Sequence, residues 1–92
     1  MPKVSILADA LLTSELVRAA RALLRWEQRH LANASAVSLP TIKRLETRPG
    51  ILAAHASTVA ALRRSLEGEG IEFTNGDRPG VRLRKAKHES TD

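Results

Sequence analysis

The sequence is poor in residues that build several kinds of functional site. It has no cysteine and no tyrosine, and its aromatic residues are one tryptophan and one phenylalanine. Without cysteine, disulfide scaffolds, iron–sulfur clusters and thiol catalysis are excluded, and the absence fits a reducing cytoplasm. With so few rings, the chain also lacks the stacking platform on which single-stranded nucleic acids are usually bound.

Long apolar segments are missing as well. The longest stretch without a charged residue runs from Pro49 to Leu62 and contains His55, whereas a membrane-spanning helix needs roughly 17–25 apolar residues. Near the N-terminus, Asp9 interrupts the apolar run Val4–Ala8 before the core of a signal peptide forms. We therefore expect a protein that is not inserted into a membrane, is not exported and stays in the cytoplasm.

What remains is the composition of one small basic domain. A chain of 92 residues is too short for two separate cores, and a hydrophobic content of 42% suffices for one modest core of aliphatic side chains. Fifteen basic residues against ten acidic ones give a net charge of +5. This balance favours a polyanionic partner, either a nucleic acid or an anionic membrane surface.

A capping residue and a helical period predict the first helix. Thr13 or Ser14 can cap it, and Glu15 lies in its first turn, where a carboxylate meets the positive end of the helix dipole. We expect this helix at about 14–25 and leave the preceding lead, residues 1–13, without an assigned structure. The apolar positions that recur at the helical period are Leu16, Ala19, Ala20, Leu23 and Leu24.

A second, shorter helix is expected at Gln28–Ala34. Leu31 and Ala32 are its inward residues, and the segment Ser35–Val37 breaks it. Trp26, which stands at the junction between the first two helices, is expected in the core.

The third helix is predicted at 38–47. Ser38 is a typical N-cap, and Pro40 is tolerated because the first turn of a helix does not need its N–H group. Ile42 and Leu45 lie three residues apart and form the apolar side of this helix.

A fourth helix and a hairpin complete the predicted domain. Ser57 is expected to cap a helix at about 58–69, and two alternating runs at 71–74 and 81–84 flank a segment rich in turn residues. The polar tail, residues 85–92, is expected to be disordered. One face of the hairpin would carry Ile71, Phe73, Val81 and Leu83.

Two short helices joined by a tight turn, the second capped by serine, form a helix-turn-helix pattern. The segment Gln28–Glu46 resembles the helix-turn-helix of lambda-repressor-like (xenobiotic-response-element-type) bacterial transcription regulators, and the resemblance covers about residues 14–84. In one position the sequence departs from the family, because Ala36 stands where glycine usually supplies a positive φ angle. The positions that carry the resemblance are Gln28, Leu31, Ala32, Ala36, Val37, Ser38, Ile42, Leu45 and Glu46.

The resemblance implies a mainly helical, lambda-repressor-like DNA-binding domain at 14–70 with a C-terminal β-hairpin at 71–84. Helix 38–47 would enter the major groove, where lysine and arginine can pair with guanine O6 and N7. By the same analogy, Gln28 would contact a phosphate. Arg21 and Glu46 match positions that form a partly buried salt bridge in relatives. The full set of expected DNA-binding residues is Gln28, Arg29, Ser38, Leu39, Pro40, Thr41, Lys43, Arg44 and Arg48.

These features lead us to expect a sequence-specific transcriptional regulator of bacterial or phage origin, associated with the nucleoid. We expect it to repress from a pseudo-palindromic operator, as a homodimer held by residues 71–84 with help from the apolar lead at Val4–Leu12. One alternative is an antitoxin or accessory subunit whose C-terminus binds a partner protein. Another is an interaction module that retains the fold without DNA binding, which predicts no retardation of any duplex at low salt.

Catalysis, cofactors and metals are not expected. His30, His55 and His88 lie far apart in the sequence, show no HExxH spacing and have no cysteine to complete a zinc site. A chain this small, without a glycine-rich phosphate loop, offers little from which to build a catalytic pocket.

Overall fold

The computed structural model describes residues 11–74 and 77–84. They form four helices followed by a two-stranded antiparallel hairpin, which confirms the mainly helical fold with a C-terminal hairpin. Most of the lead (1–10), two residues of the predicted hairpin turn (75–76) and the tail (85–92) lie outside the described residues. The elements are α1 (Ser14–Leu24), α2 (Gln28–Ser35), α3 (Leu39–Thr47), α4 (Ala56–Gly68), β1 (Ile71–Thr74) and β2 (Gly80–Leu83).

Local signals explain both ends of α1. Thr13 is the N-cap, and its Oγ1 accepts a hydrogen bond from the Leu16 N–H at 3.1 Å. The helix ends one residue earlier than predicted, because Arg25 takes the left-handed conformation with φ of 59° and donates its N–H to the Ala22 carbonyl.

The predicted apolar face of α1 is partly wrong. Val17 and Ala20 are buried, whereas Ala19 and Leu23 are exposed. The helix carries apolar residues on two overlapping stripes, so periodicity alone does not fix its rotation. In the structure, Val17 and Arg21 lie four residues apart on one side of the helix; Val17 is buried and Arg21 forms an ion pair with Glu46 of α3.

The connection between α2 and α3 has the predicted form. Ala36 takes a φ of 66° and donates its N–H to the Ala32 carbonyl at 2.9 Å. Ser38 then caps α3, since its Oγ accepts from the Thr41 N–H at 3.3 Å.

The predicted cap of α4 is wrong. His55 stands at the N-cap position without a side-chain capping bond, the first helical residue is Ala56, and Ser57 is already inside the first turn. Leu52, in the loop before α4, is buried. The helix begins at Ala56, two residues sooner than predicted.

The last residues of the lead belong to the core. Thr13 pairs with Ile51 in an antiparallel bridge, and the Leu52 N–H donates to the Leu12 carbonyl at 3.0 Å. Leu12 is fully buried. This corrects the expectation that the lead as far as Leu12 is available for a dimer contact.

The hairpin packs against the helices and contributes Ile71 to the core. β1 pairs with β2 in the register Ile71↔Leu83 and Phe73↔Val81, and the hairpin packs against α1 and α4. Of these four side chains, Ile71 is buried and Leu83 is 38% exposed. Phe73 and Val81 pack against the core, so most of the apolar face of the hairpin faces inward. The core consists of Leu12, Val17, Ala20, Leu31, Ile42, Leu45, Leu52, Leu62, Leu66 and Ile71, and Trp26 packs against it as predicted.

Candidate nucleic-acid interface

The outer side of α3 collects most of the residues predicted to contact DNA. Ile42 and Leu45 are buried, so the helix turns Pro40, Lys43 and Arg44 to solvent. Four further members of the predicted set lie on this helix or at its ends: Ser38 and Arg48 are exposed, while Leu39 and Thr41 are half-buried. The other two, Gln28 and Arg29, lie on α2.

The cations on this face have no acidic partner within the part of the chain that the structure describes. Within residues 11–74 and 77–84, no carboxylate lies within ion-pair distance of Lys43, Arg44 or Arg48. Several cations on other elements do have such partners, including Arg18 with Glu15 on α1, Arg63 with Glu67 on α4, and Arg82 and Arg84 with Glu72 on the hairpin. Arg25, Arg64 and Arg78 also have no carboxylate partner there, but each lies on a different element. Thus α3 and its C-cap concentrate three available cations on one side.

Glu46, the single acid of α3, is withdrawn from this face by an ion pair. Its Oε2 accepts from Arg21 Nε at 2.7 Å, and its Oε1 accepts from Arg21 Nη2 at 2.6 Å. The third guanidinium nitrogen, Nη1, donates to the Trp26 carbonyl at 2.9 Å. The Glu46 side chain is 4% exposed and that of Arg21 is 18% exposed. The predicted salt bridge is thereby confirmed, in the two-pronged geometry that arginine and carboxylate favour.

Gln28 has a partner that the sequence did not suggest. Its Nε2 donates to Glu46 Oε1 at 2.9 Å, so the side chain reaches across to α3. Spacing along one helix cannot reveal this bond, because the two residues belong to different elements. The expected phosphate contact of Gln28 stays a prediction. Arg29 is exposed and pairs with Glu27 at 2.9 Å.

A second missed feature is the start of α2. The Glu27 N–H donates to Nδ1 of His30 at 2.9 Å, which satisfies a backbone donor that the helix itself leaves free. A histidine at the third position of the helix, three residues after the N-cap Glu27, is the only sequence signal for this bond.

A shallow concavity of about 440 Å³ lies between α3 and the start of α4. Its lining residues are Thr41, Arg44, Ala53, Ala54, His55 and Thr58. The sequence did not predict it, because the segment 53–55 carries no recognisable motif. The concavity extends the surface of α3 toward the start of α4.

Within the described part of the chain, no three histidine, aspartate or glutamate side chains are grouped so that they could hold a metal ion. No helix there is long and apolar enough to cross a bilayer.

Comparison of the sequence with protein-family models and with curated proteins finds no match.

Proposed function

We propose that this protein binds double-stranded DNA sequence-specifically, with α3 in the major groove, and acts as a transcriptional regulator that represses. The observation that supports this most is the set of three exposed cations on the outer side of α3, Lys43, Arg44 and Arg48, which have no carboxylate partner in the described chain. A helix of about 10–12 Å diameter fits a major groove about 12 Å wide.

The residues of the face divide by chemistry into two groups. Arg44 and Lys43 can donate to guanine O6 and N7, with arginine doing so as a two-pronged fork, and Pro40 can offer only apolar contact, for instance to a thymine methyl. Arg48 and the hydroxyl of Thr41 lie at the border of the face, where phosphate oxygens would pass. Phosphate contacts orient the protein on the duplex, while base contacts select the sequence.

We further propose that two copies bind one operator. A single α3 reaches about half of a usual operator, and a two-fold dimer places two such helices one helical turn of DNA apart. Sedimentation of the protein with a duplex carrying two half-sites tests this. We expect two chains per duplex, and a complex of one chain per duplex would contradict it.

The test of base reading uses a library of randomised duplexes at one fixed salt concentration, because nonspecific affinity changes steeply with ionic strength. Arg44→Ala should cost about 1–3 kcal/mol on the preferred site and relax the choice at one or two base pairs. Arg64→Ala is the matched control. Like Arg44, Arg64 is an exposed arginine without a carboxylate partner among the described residues, but it lies on α4.

The control should lose only the small, sequence-independent affinity that follows from removing one positive charge. If neither Arg44→Ala nor Lys43→Ala changes the preferred sequence, α3 is not the reading helix. If the unaltered protein binds no duplex at low salt, the proposal as a whole is wrong.

A further inference from the structure

The side chain of Gln28 connects the start of α2 to the end of α3. Its bond to Glu46 is, among the residues that the structure describes, the one hydrogen bond that joins these two helices directly. Leu31 of α2 and Ile42 and Leu45 of α3 belong to one apolar core. Apolar packing is not directional, so it tolerates small rotations better than a hydrogen bond to a buried carboxylate does.

The positions of Gln28 and Glu46 allow this bond to control the angle between α2 and α3. The turn at Ala36 joins the end of α2 to the start of α3 and fixes where the helices meet. Gln28 is the first residue of α2, and Glu46 is the last but one of α3, so their bond lies far from that turn along both helices. The turn joins α2 and α3 at one end, and the hydrogen bond joins them at the other. Together these two connections fix the angle between the helices.

That angle determines where the outer side chains of α3 lie. Arg44 is five residues beyond the start of α3, which is about 8 Å along a helix that rises 1.5 Å per residue. A rotation of about 10° at the turn would therefore displace Arg44 by roughly 1.5 Å, more than a base-edge hydrogen bond tolerates.

Glu46 can hold Gln28 firmly because it is itself fixed. Its Oε1 accepts from Arg21 Nη2 at 2.6 Å and from Gln28 Nε2 at 2.9 Å, so one buried carboxylate oxygen serves three helices. Hydrogen bonds to an ionised acceptor are about twice as strong as neutral ones.

We propose that Gln28 is a positioning residue: acting through Glu46, it sets the angle of α3 and thereby the base sequence that Arg44 and Lys43 can read. This inference rests on the proposed DNA binding. It differs from the role implied by resemblance, in which the Gln28 side chain contacts a phosphate and affects all sequences equally.

The test compares the preferred duplex with a scrambled duplex of the same length, at fixed salt. Gln28→Met keeps the length of the side chain but cannot donate to Glu46. It should lower the ratio of the two affinities by about three- to tenfold while leaving the affinity for the scrambled duplex nearly unchanged. Gln28→Lys can still donate to Glu46 and should keep the ratio. Asn33→Ala, an exposed change on the same helix, is the control and should also keep it.

Equal weakening of both duplexes by Gln28→Met would overturn the inference and make the side chain a phosphate ligand. An unchanged ratio would overturn it as well. Should Gln28→Met be unfolded at the assay temperature, Gln28→Ser, which is too short to reach Glu46, takes its place with the same expected ratio. If the unaltered protein binds neither duplex, the proposed function fails and this role fails with it. If the unaltered protein binds DNA and Gln28→Met leaves the ratio of the two affinities unchanged, only the positioning role of Gln28 is wrong, and the proposed function stands.

Discussion

At the scale of single residues, Glu46 is notable because it is a buried carboxylate. A carboxylate with a side chain 4% exposed has lost most of its hydration, and such a charge is tolerated only with close partners. Arg21 and Gln28 supply three hydrogen bonds to its two oxygens. Removing the carboxylate leaves the Arg21 guanidinium without its acidic partner, although this side chain is largely buried.

Glu46→Ala should therefore lower the free energy of unfolding by roughly 3 kcal/mol. The control is Glu72→Ala, which removes a carboxylate that also pairs with arginine, Arg82 and Arg84, but on the solvent side of the hairpin. It should cost less than about 1 kcal/mol. Chemical denaturation of both variants measures the difference, and equal midpoints would contradict the assignment.

Glu15 is expected to contribute to the acid sensitivity of the fold, because hydrogen bonds lower the pKa of its carboxyl. Its own backbone N–H, and after it the N–H of Gly50, which donates to Oε1 at 3.1 Å, lower the pKa of this carboxyl. Burial acts in the opposite direction, and the Ser14 hydroxyl and Arg18 add to the lowering. Because the pKa is lower in the folded protein than in the unfolded chain, the ionised group stabilises the fold above its unfolded value of about 4.3, and this contribution is lost as the pH falls through the folded value.

We expect the melting temperature of the unaltered protein to fall more steeply between about pH 5 and pH 3 than that of Glu15→Gln. The two curves should differ most at the neutral end and converge in acid. Glu69→Gln removes an exposed carboxylate just after α4 and should keep the slope of the unaltered protein. Parallel curves for Glu15→Gln and the unaltered protein would show that the Glu15 contacts do not stabilise the fold.

The contacts of Glu46 also show which side-chain interactions can be predicted from the sequence and which cannot. The Arg21–Glu46 pair was expected because both residues match positions of a known pattern, and the structure contains it. The bond from Gln28 to the same carboxylate was not expected. A half-buried glutamine has two donors and an acceptor and can satisfy them in many ways, so only the packing of α2 against α3 decides which partner it meets.

At the scale of elements, the turn between α2 and α3 contains a residue that is not suited to its backbone. Ala36 has a φ of 66°, in the left-handed region where a Cβ is unfavourable and glycine is not. The turn forms nevertheless, because the helices on both sides are held by the core and by the Ser38 cap.

Ala36→Gly should stabilise the protein by about 1 kcal/mol, since it removes this strain. Ala34→Gly is the matched control, two residues earlier and also exposed, but inside α2. There, glycine should destabilise by about 1 kcal/mol because it favours the unfolded chain. Opposite shifts in the thermal midpoint are the expected outcome, and a shift of the same sign for both variants would mean that the φ of Ala36 is not strained.

Element boundaries were predictable where a cap acts through its own side chain. Thr13 and Ser38 cap their helices as expected. Ser57 does not, because α4 begins one residue before it, after His55, which makes no side-chain capping bond. Such a boundary depends on contacts between distant parts of the chain, and a local sequence pattern does not contain them.

At the scale of the whole molecule, the hairpin is part of the hydrophobic core. Ile71 is 1% exposed, and the strand pair lies against α1 and α4. Its cross-strand neighbour Leu83 is 38% exposed. The alternation of apolar residues predicted the strands and their shared face, but it could not tell whether that face covers this core or a partner.

Ile71→Ala should lower the free energy of unfolding by about 2–4 kcal/mol, because it leaves a cavity in the core. Leu83→Ala deletes a side chain of similar size from the paired position and should cost less than about half as much, since much of that side chain already meets water. Denaturation curves of the two variants test this, and a larger loss for Leu83→Ala would contradict the burial described for these two paired side chains.

The packing of β2 on α1 has a consequence for how the chain acquires its structure. These elements open and close the described part of the fold, yet they lie side by side. Contacts between distant parts of a chain cost loop-closure entropy before they contribute stability, and they slow folding. This domain should therefore fold more slowly than a helical bundle of its size. During synthesis, the contact between α1 and β2 can form only after the second strand has left the ribosome.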